Sequence, residues 1–117
     1  VKPAYEAYDK GRKALAKGDF GTASAMADKA IRIEPREALF YSLKGDAQIK
    51  RRNYSGALST YDETIRRDSG YFRHYLIRGM LREKLGDTSG ARSDLERSMN
   101  LLPTKAAQDR LVRMRAR

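Results

Sequence analysis

The sequence predicts an all-α fold in which helix–turn–helix units stack into a solenoid. Small and turn-forming residues recur in one register at intervals of 34, and each copy divides into two helical segments at its turn. The recurring positions are Gly11, Gly45 and Gly79; Ala23, Ala57 and Ala91; and Pro35, Ser69 and Pro103. A period in this range is typical of stacked helical arrays. With 117 residues, the chain is long enough for one such domain, over 1–117.

The first copy shows how each unit is built. Helix A is predicted from about Tyr5 to Lys17 and helix B from about Thr22 to Ile33. Gly18 can adopt the left-handed conformation that ends helix A, and Asp19 is a suitable cap for helix B. Pro35 ends helix B because proline cannot continue the backbone hydrogen-bond ladder.

The other two copies repeat this arrangement with small changes. In the second copy the turn pair is Arg52 followed by Asn53, which we expect to cap helix B, and Gly70 lies near the exit. The third copy uses Gly86 and Asp87 at its turn and ends before Pro103. A final helix over 106–117 lacks the mid-helix glycine, so we expect it to cap the array with Leu111, Val112 and Met114.

Small residues are predicted to bring the two helices of each unit close together. A glycine inside a helix costs about 1 kcal/mol relative to alanine, and close approach of the facing alanine would explain that cost in all three copies. Since one helical hairpin cannot bury its apolar face alone, neighbouring copies must stack. The other helix-B positions predicted to be buried are Ala27, Ala30, Ile31 and Ile33; Leu58, Tyr61 and Ile65; and Leu95, Met99, Leu101 and Leu102.

Composition limits the classes of function. Cysteine is absent, which excludes disulfides and cysteine-based metal sites, and no apolar run reaches the roughly 18 residues of a membrane span. The chain begins at Val1 without a signal-peptide pattern, so we expect an excised piece or a mature product. The net charge of +10 makes acidic partners worth testing, and the basic tail ends at Arg115 and Arg117.

The repeat resembles the tetratricopeptide repeat, with copies at 4–37, 38–71 and 72–105. The residues that match that family's pattern are Gly11, Ala23, Ala30 and Pro35; Tyr41, Gly45, Ala57 and Tyr61; and Tyr75, Gly79, Ala91 and Pro103. Departures occur at the position that is usually leucine and at one of the small positions. They are Lys10, Lys44 and Arg78, then Thr64 and Ser98, together with Ala7 at an aromatic position.

This resemblance implies a right-handed superhelix whose helix-A residues line a concave groove for a peptide or protein partner. Carried over by position, the groove residues are Tyr5, Tyr8 and Arg12; Leu39, Ser42 and Asp46; and Arg73, Leu76, Met80 and Glu83. Aromatic residues and arginine often supply the binding energy of interfaces. We expect Leu15 and Ile49, at a further groove position, to pack between copies instead.

One subfamily of such repeats clamps the terminal carboxylate of chaperones. The matching positions here are Tyr8, Arg12, Leu43, Arg73 and Ile77. Arg73 is the residue that fits, and Arg12 replaces an asparagine, so we do not expect this clamp. The stretches at 28–40 and 101–104 are also similar to repeat regions of bacterial envelope zinc metalloproteases with an HExxH motif. That context would make the chain a partner-recruiting region in the periplasm, whereas the cytoplasm is the other compartment considered.

We expect no enzymatic activity, no cofactor and no metal site. The sole histidine, His74, lies at a helix-A position that is usually solvent-facing and has no second histidine or cysteine to share a metal. The glycines at 86 and 90 belong to a helix–helix turn and form no phosphate-binding motif. Asp46 and Glu83 are carboxylates of the kind that join salt bridges on a basic protein.

Two other functions remain open at this point. The positive charge could bind RNA or DNA, although the groove positions change chemistry from copy to copy, so binding would be salt-sensitive and independent of sequence. The exposed ends of a short solenoid could also stack into homo-oligomers. Anisotropy titrations with single-stranded RNA and light scattering over a concentration series test these two alternatives.

Overall fold

The computed structural model describes residues 2–116, and these residues form seven α-helices and no β-strand. In chain order the helices are α1 (Lys2–Ala16), α2 (Phe20–Ile33), α3 (Ala38–Lys50), α4 (Tyr54–Arg67), α5 (Phe72–Lys84), α6 (Thr88–Leu101) and α7 (Lys105–Arg115). They fall into two compact units, with α1–α4 in residues 1–67 and α5–α7 in residues 68–117. The boundary lies inside the predicted second copy, and a single domain over 1–117 stays a prediction. Arg117, named with the basic tail, lies outside the described residues.

The helix ends follow the predicted caps more closely than the predicted boundaries. The Asp19 carboxylate accepts a hydrogen bond from the Thr22 backbone N–H at 3.2 Å, so α2 begins at Phe20 instead of Thr22. The first helix likewise begins at Lys2, ahead of the predicted Tyr5. A cap residue lies immediately before the first helical residue, and its side chain bonds to a backbone N–H inside the first turn. The helix therefore begins before the residue that donates this bond. The end of α2 at Ile33, before Pro35, is confirmed.

Three turns in matching positions use a left-handed residue. Gly18 has φ +86° and Gly86 has φ +90°, as predicted for the first and third copies. In the second copy Arg52 occupies the same place with a φ of 63°. Among the described residues, it is the non-glycine residue that has a positive φ. A side chain in this conformation places Cβ close to the following carbonyl oxygen, at a cost of roughly 1–2 kcal/mol.

Arg52→Gly should therefore stabilise the protein. Glycine removes the steric cost of the left-handed conformation but adds backbone entropy to the unfolded chain. We expect a net gain of about 0.5–1 kcal/mol in the free energy of unfolding, measured by urea denaturation. Arg52→Ala removes the same charge while keeping Cβ, so it should show no gain. Equal stabilisation by both variants would assign the effect to charge and not to backbone strain.

Small side chains fill most of the core of the first unit. One cluster contains Ala4, Ala7, Ala30 and Phe40, with Tyr8, Met26 and Ile31 packed against it. A second cluster joins Ala14, Ala23 and Ala47, and Leu15 packs against it. The predicted packing of Leu15 within the array is thereby confirmed. Alanines at these positions let the helices approach closely, as the repeated small residues predict.

The close approach at the mid-helix glycines differs between copies. A Cβ atom on Gly11 would lie 3.3 Å from the Ala23 carbonyl oxygen, and one on Gly79 would lie 3.2 Å from that of Ala91. A Cβ on Gly45 would instead lie 2.7 Å from the Tyr61 ring. The predicted contact partner, Ala57, is fully buried but is not among the nearest neighbours of Gly45. In this copy the Tyr61 ring occupies the space beside Gly45.

Ala57→Leu should overpack the first unit. Ala57 has no exposed surface, so the larger leucine side chain must displace the residues packed around it. We expect the free energy of unfolding to fall by about 1–3 kcal/mol, measured by urea denaturation. As a control, leucine at the exposed Ser59 on the same helix should change stability far less. Wild-type stability of the Ala57 variant would contradict the tight packing.

The second unit has its own core and a capping helix. Ala91, Leu95, Ala107 and Met114 form a buried cluster, with Leu76, Met99 and Leu111 packed against it. The small-position departure Ser98 is also fully buried, and its hydroxyl donates to the Phe72 carbonyl oxygen at 3.0 Å. Within this unit α7 packs on α6, so the predicted capping role of Leu111 and Met114 agrees with the structure.

Four residues predicted to be buried are exposed. Ile33 is 42% exposed, Leu101 45%, Leu102 48% and Val112 52%. Ile33 and Leu101 follow their buried stripes by a second step of three, which falls short of the 3.6-residue turn and rotates them off the buried face. Leu102 lies beyond the end of α6. Val112 lies five residues after the buried Ala107, which places it on another side of α7.

A tyrosine in each unit ties the start of a helix A to the preceding connection. The Tyr41 hydroxyl donates to the Pro35 carbonyl oxygen at 2.9 Å, and the Tyr75 hydroxyl donates to the Ser69 carbonyl oxygen at 3.0 Å. In the first unit Arg67 also donates to the Pro35 oxygen at 2.8 Å, and its guanidinium lies 4.0 Å from the Tyr41 ring centre. These bonds fix the connection relative to its own helix.

Over the described residues, 2–116, the helices are too short or too polar for any of them to cross a bilayer.

Candidate functional site

Two tyrosines on α1 lie over a buried phenylalanine of α3. Phe40 has no exposed surface; the centre of its ring lies 5.1 Å from that of Tyr5 and 5.5 Å from that of Tyr8. Tyr5 is 40% exposed and Tyr8 is half-buried. The packing restricts both rings while leaving part of each accessible. We call Tyr5, Tyr8 and Phe40 the aromatic platform.

The Tyr5 hydroxyl donates to a carboxylate at the start of α3. The distance from this oxygen to Glu37 Oε2 is 2.6 Å, and Glu37 Oε1 also caps α3 by accepting from the Leu39 backbone N–H. The hydrogen bond to Glu37, followed by desolvation and then by the negative charges of Glu37 and Glu34, raises the pKa of Tyr5 above its usual 10. This bond fixes the outer ring of the aromatic platform.

The Tyr5 bond should make stability depend on pH in the alkaline range. A raised pKa in the folded state means that the contribution is fully present below the unfolded-state pKa of about 10. The contribution is lost as pH rises through the folded-state pKa. We expect the melting temperature of the wild type to fall more than that of Tyr5→Phe between about pH 9.5 and about pH 11.5. This interval brackets the usual pKa of tyrosine. Parallel curves would contradict the assignment.

The remaining predicted residues of the first unit have different exposures. Arg12 is exposed, pairs with Asp9 at 3.3 Å and lies with its guanidinium 5.8 Å from the Tyr8 ring centre. Asp46 is half-buried and accepts a 2.5 Å hydrogen bond from the Tyr61 hydroxyl. Leu39 is also half-buried. Ser42 is buried, and its hydroxyl donates to the Leu39 carbonyl oxygen at 2.8 Å.

The predicted residues of the second unit lie on α5 and are all half-buried. Leu76 packs against the core cluster of that unit. Glu83 accepts a hydrogen bond from Arg110 on α7 at 2.9 Å, so this carboxylate joins an ion pair, as the sequence predicts. Arg73 and Met80 are partly accessible on the same helix.

Two of the positions that match the chaperone-tail clamp hold aliphatic side chains. Leu43 is 3% exposed, and Ile77 is half-buried. Neither can donate a hydrogen bond to a carboxylate. The geometry therefore agrees with the expectation that this chain lacks the full clamp.

A buried charge network in the second unit was not predicted. Asp94 has no exposed surface and receives two hydrogen bonds from Arg78, at 2.8 and 2.9 Å, and one from Arg82 at 2.9 Å. Arg97 lies 3.6 Å from the same carboxylate. The bidentate geometry is the strong form of the arginine–carboxylate pair. The signal in the sequence that could have indicated this network is Arg78, a basic residue at a repeat position that is usually leucine.

The prediction that His74 is solvent-facing is wrong. The side chain is 1% exposed, its ring centre lies 4.9 Å from that of Tyr71, and its Nε2 atom lies 3.9 Å from Asp68. His74 occupies the repeat position of Phe40, which is also fully buried. The first copy has the exposed Glu6 at this position, so the repeat register by itself does not indicate burial. In residues 2–116, His, Asp and Glu side chains form no cluster of three that could hold a metal ion.

Comparisons with known proteins agree with the repeat pattern. A family model described as tetratricopeptide repeat matches residues 8–71 and 42–99. The Arabidopsis OM64 TPR domain superimposes with a TM-score of 0.94 at 22% identity, covering 98% of this chain and 96% of that one. The first TPR of Spaghetti (RPAP3) bound to the HSP90 peptide SRMEEVD gives a TM-score of 0.94 at 22% identity, over 98% of this chain and 92% of that one. The all-α repeat fold predicted from the sequence is confirmed.

A sequence relative extends the comparison to longer proteins. Hsc70-interacting protein 1 of Drosophila melanogaster is 30% identical over 101 residues, which cover 86% of this chain. The match covers 27% of that relative, so the chain spans about a quarter of its length. Neither the family model nor the proteins named here supports the envelope-metalloprotease context.

Proposed function

The chain belongs to the tetratricopeptide repeat family, and on that premise we propose that it is a protein-interaction scaffold that binds a peptide or protein segment. The proposed binding surface of the first unit is the helix-A face formed by α1 and α3. The α5 face of the second unit is proposed as a separate binding surface. The scaffold is proposed to work by binding alone, without catalysis or a cofactor.

The aromatic platform is the observation that carries this proposal. Tyr5 and Tyr8 present partly exposed rings that are held by Phe40 beneath them and, for Tyr5, by Glu37. A side chain fixed before binding loses little conformational entropy when a partner arrives. Tyrosine offers both apolar area and a polar tip, which explains its frequency at interfaces.

The chemistry beside the platform indicates the kind of segment that fits. Arg12 is exposed next to Tyr8 and forms a surface ion pair with Asp9. Leu39 adds an apolar side chain from α3, whereas Asp46 is bonded to Tyr61. We therefore propose a segment with apolar or aromatic side chains for the platform and an acidic side chain for Arg12.

This ligand differs from the peptide in the related RPAP3 structure. That peptide, SRMEEVD, contains two glutamates and ends in an aspartate, which carries the terminal carboxylate. In this chain Leu43 and Ile77 replace two polar groups of the clamp, so the terminal carboxylate has fewer partners. A matched pair of SRMEEVD peptides with free and amidated C-termini tests this point by fluorescence anisotropy. We expect amidation to change affinity by less than about threefold.

Partner binding by the surface is tested with two kinds of variant. Peptides selected by phage display on the wild-type chain serve as ligands, and the variants are Tyr8→Ala and Arg12→Glu. We expect each to weaken binding by about tenfold or more, equivalent to roughly 1.4 kcal/mol. Arg12→Glu changes an exposed side chain, so its melting temperature should stay near that of the wild type.

Matched controls separate the site from general charge and stability. Arg92→Glu alters another exposed arginine, on α6, and should leave peptide affinity unchanged. Arg73→Ala measures the contribution of the α5 face by itself. If the selected peptides bind Arg12→Glu and Tyr8→Ala as tightly as the wild type, the α1–α3 surface is not the binding site.

A further inference from the structure

Positive charge is concentrated at the turn end of the first unit. Five cationic residues lie in the last turns of α1 and α3 or directly after them, and all are exposed. They are Lys13, Lys17, Lys50, Arg51 and Arg52. We call this set the basic turn edge.

The two turns that carry these residues lie side by side. A Cβ on Gly21, at the start of α2, would be 3.1 Å from the Arg51 guanidinium. The pKa of Asp19 is lowered mainly by hydrogen bonds from Thr22, and Arg51 adds to the effect by its charge. The Ala14–Ala23–Ala47 cluster beneath packs the corresponding helix ends together. The five cations therefore lie on two adjacent turns at one end of the unit, and we refer to them together as a row.

The charges in this row form no close ion pair, although Arg51 interacts with Asp19 through its charge at a longer distance. In the described part of the chain, none of the five lies within 4.0 Å of a carboxylate, whereas Lys44 pairs with Asp28 at 3.1 Å on the same unit. Asp19 is the nearby acid, and it is engaged as the cap of α2. A lysine in the last turn of a helix interacts favourably with the helix dipole. This interaction explains the positions of Lys13 and Lys50 but not those of the other three cations.

Backbone strain at Arg52 is an independent observation. The two equivalent turns use glycine, which adopts positive φ without steric cost, yet this turn carries a charged side chain at φ 63°. Residues held in such sparsely populated conformations are concentrated at functional sites. The strained arginine belongs to the basic turn edge, so both observations point to the same place.

Two aromatic residues accompany the row. Phe20 and Tyr54 begin α2 and α4 at equivalent repeat positions, and both are half-buried beside the turns. Half-buried rings can present a face to a stacked base, and base–aromatic stacking is tolerant of sequence.

From this geometry we propose that the basic turn edge binds the phosphate backbone of single-stranded nucleic acid, independently of base sequence. A row of cations matches a linear polyanion, because successive phosphates can meet successive side chains along one edge. The surface differs from the aromatic platform and uses none of its residues. The scaffold therefore has a second binding surface for a second class of ligand.

The salt dependence of binding to labelled oligo(U) and oligo(dT) tests the proposal by fluorescence anisotropy. Five phosphate contacts to a single strand predict a slope of about −3.5 for log affinity against log salt concentration. The triple variant Lys50→Gln, Arg51→Gln and Arg52→Gln should reduce the magnitude of the slope by about 2. Glutamine keeps a Cβ at each position, so the backbone strain at 52 is unchanged.

A charge-matched variant provides the control. Lys29→Gln, Arg92→Gln and Arg113→Gln remove the same net charge from exposed positions outside the row. We expect this variant to keep the wild-type slope within about 0.7, the contribution of one contact. Equal losses in both triple variants would show that net charge, and not the basic turn edge, binds the strand.

Other outcomes also overturn the proposal and leave the peptide-binding proposal separately testable. No measurable binding to either oligonucleotide at low salt would overturn it. Binding to phosphatidylserine-containing vesicles but not to oligonucleotides would assign the edge to a membrane surface. Arg12→Glu should weaken peptide binding while oligonucleotide binding by the turn edge continues, so failure of one proposal does not imply failure of the other.

Discussion

Asp94→Ala is expected to lower the free energy of unfolding of the second unit by about 3–5 kcal/mol, because it leaves a buried cation without its partner. Asp94 is fully buried, and the Arg78 guanidinium that binds it by two hydrogen bonds is almost fully buried as well. Arg82 keeps a second carboxylate, Asp87, at 3.9 Å and is partly exposed, so it can return to solvent. Arg78 is buried, so its charge cannot return to solvent in the same way. Urea denaturation followed by circular dichroism measures the loss.

Two further variants determine whether charge is the cause. Arg97→Ala removes a more exposed arginine that lies 3.6 Å from the carboxylate, and it should cost less than about 1 kcal/mol. The double variant Arg78→Leu with Asp94→Leu replaces the buried pair by apolar side chains, which is often neutral or stabilising. It should recover most of the stability lost in Asp94→Ala. A double variant as unstable as the single one would indicate a packing role instead.

Phe40→Ala is expected to cost about 3–5 kcal/mol of stability in the first unit. The ring is fully buried among Ala4, Ala7 and Ala30, and small neighbours cannot expand to fill the cavity it leaves. Tyr5 and Tyr8 lose the surface on which they rest, so peptide affinity should fall with stability. Thermal denaturation and anisotropy with the selected peptides measure the two effects.

Phe40→Leu is the matched variant for this prediction. Leucine keeps most of the apolar volume but removes the aromatic edge contacts, so the stability loss should be smaller than that of alanine. Peptide affinity should still fall because the two tyrosine rings are less well fixed. Retention of wild-type affinity in this variant, with the chain folded, would show that the platform does not depend on its central ring.

The repeated features of the fold could be predicted because they are local. A left-handed glycine, a capping aspartate and a proline after the helix act on neighbouring residues, as at Gly18, Asp19 and Pro35. Burial near the helix ends was less predictable. Ile33 and Leu101 are apolar and close to the stripe, yet a second step of three residues rotates them into solvent.

The contacts that were missed depend on tertiary structure. Arg78 was recognised as a departure from the repeat pattern, but its partner Asp94 lies 16 residues away on α6, and no local rule joins the two. The exposure of site residues is equally non-local. Ser42 shares the groove register with Tyr8, yet its small side chain is buried and bonds to its own helix. The aromatic platform needed Phe40, which the repeat register places outside the predicted groove.

The tyrosine bonds to Pro35 and Ser69 bear on how repeats can be exchanged between proteins. Each connection is attached to the helix that follows it, because Tyr41 and Tyr75 hold a carbonyl six residues upstream. A chimaera cut at the nominal start of a copy, residue 38 or 72, would separate the anchor from its anchored segment. Junctions placed ahead of residues 35 and 69 would transfer both together, so the inherited module should begin in the preceding loop.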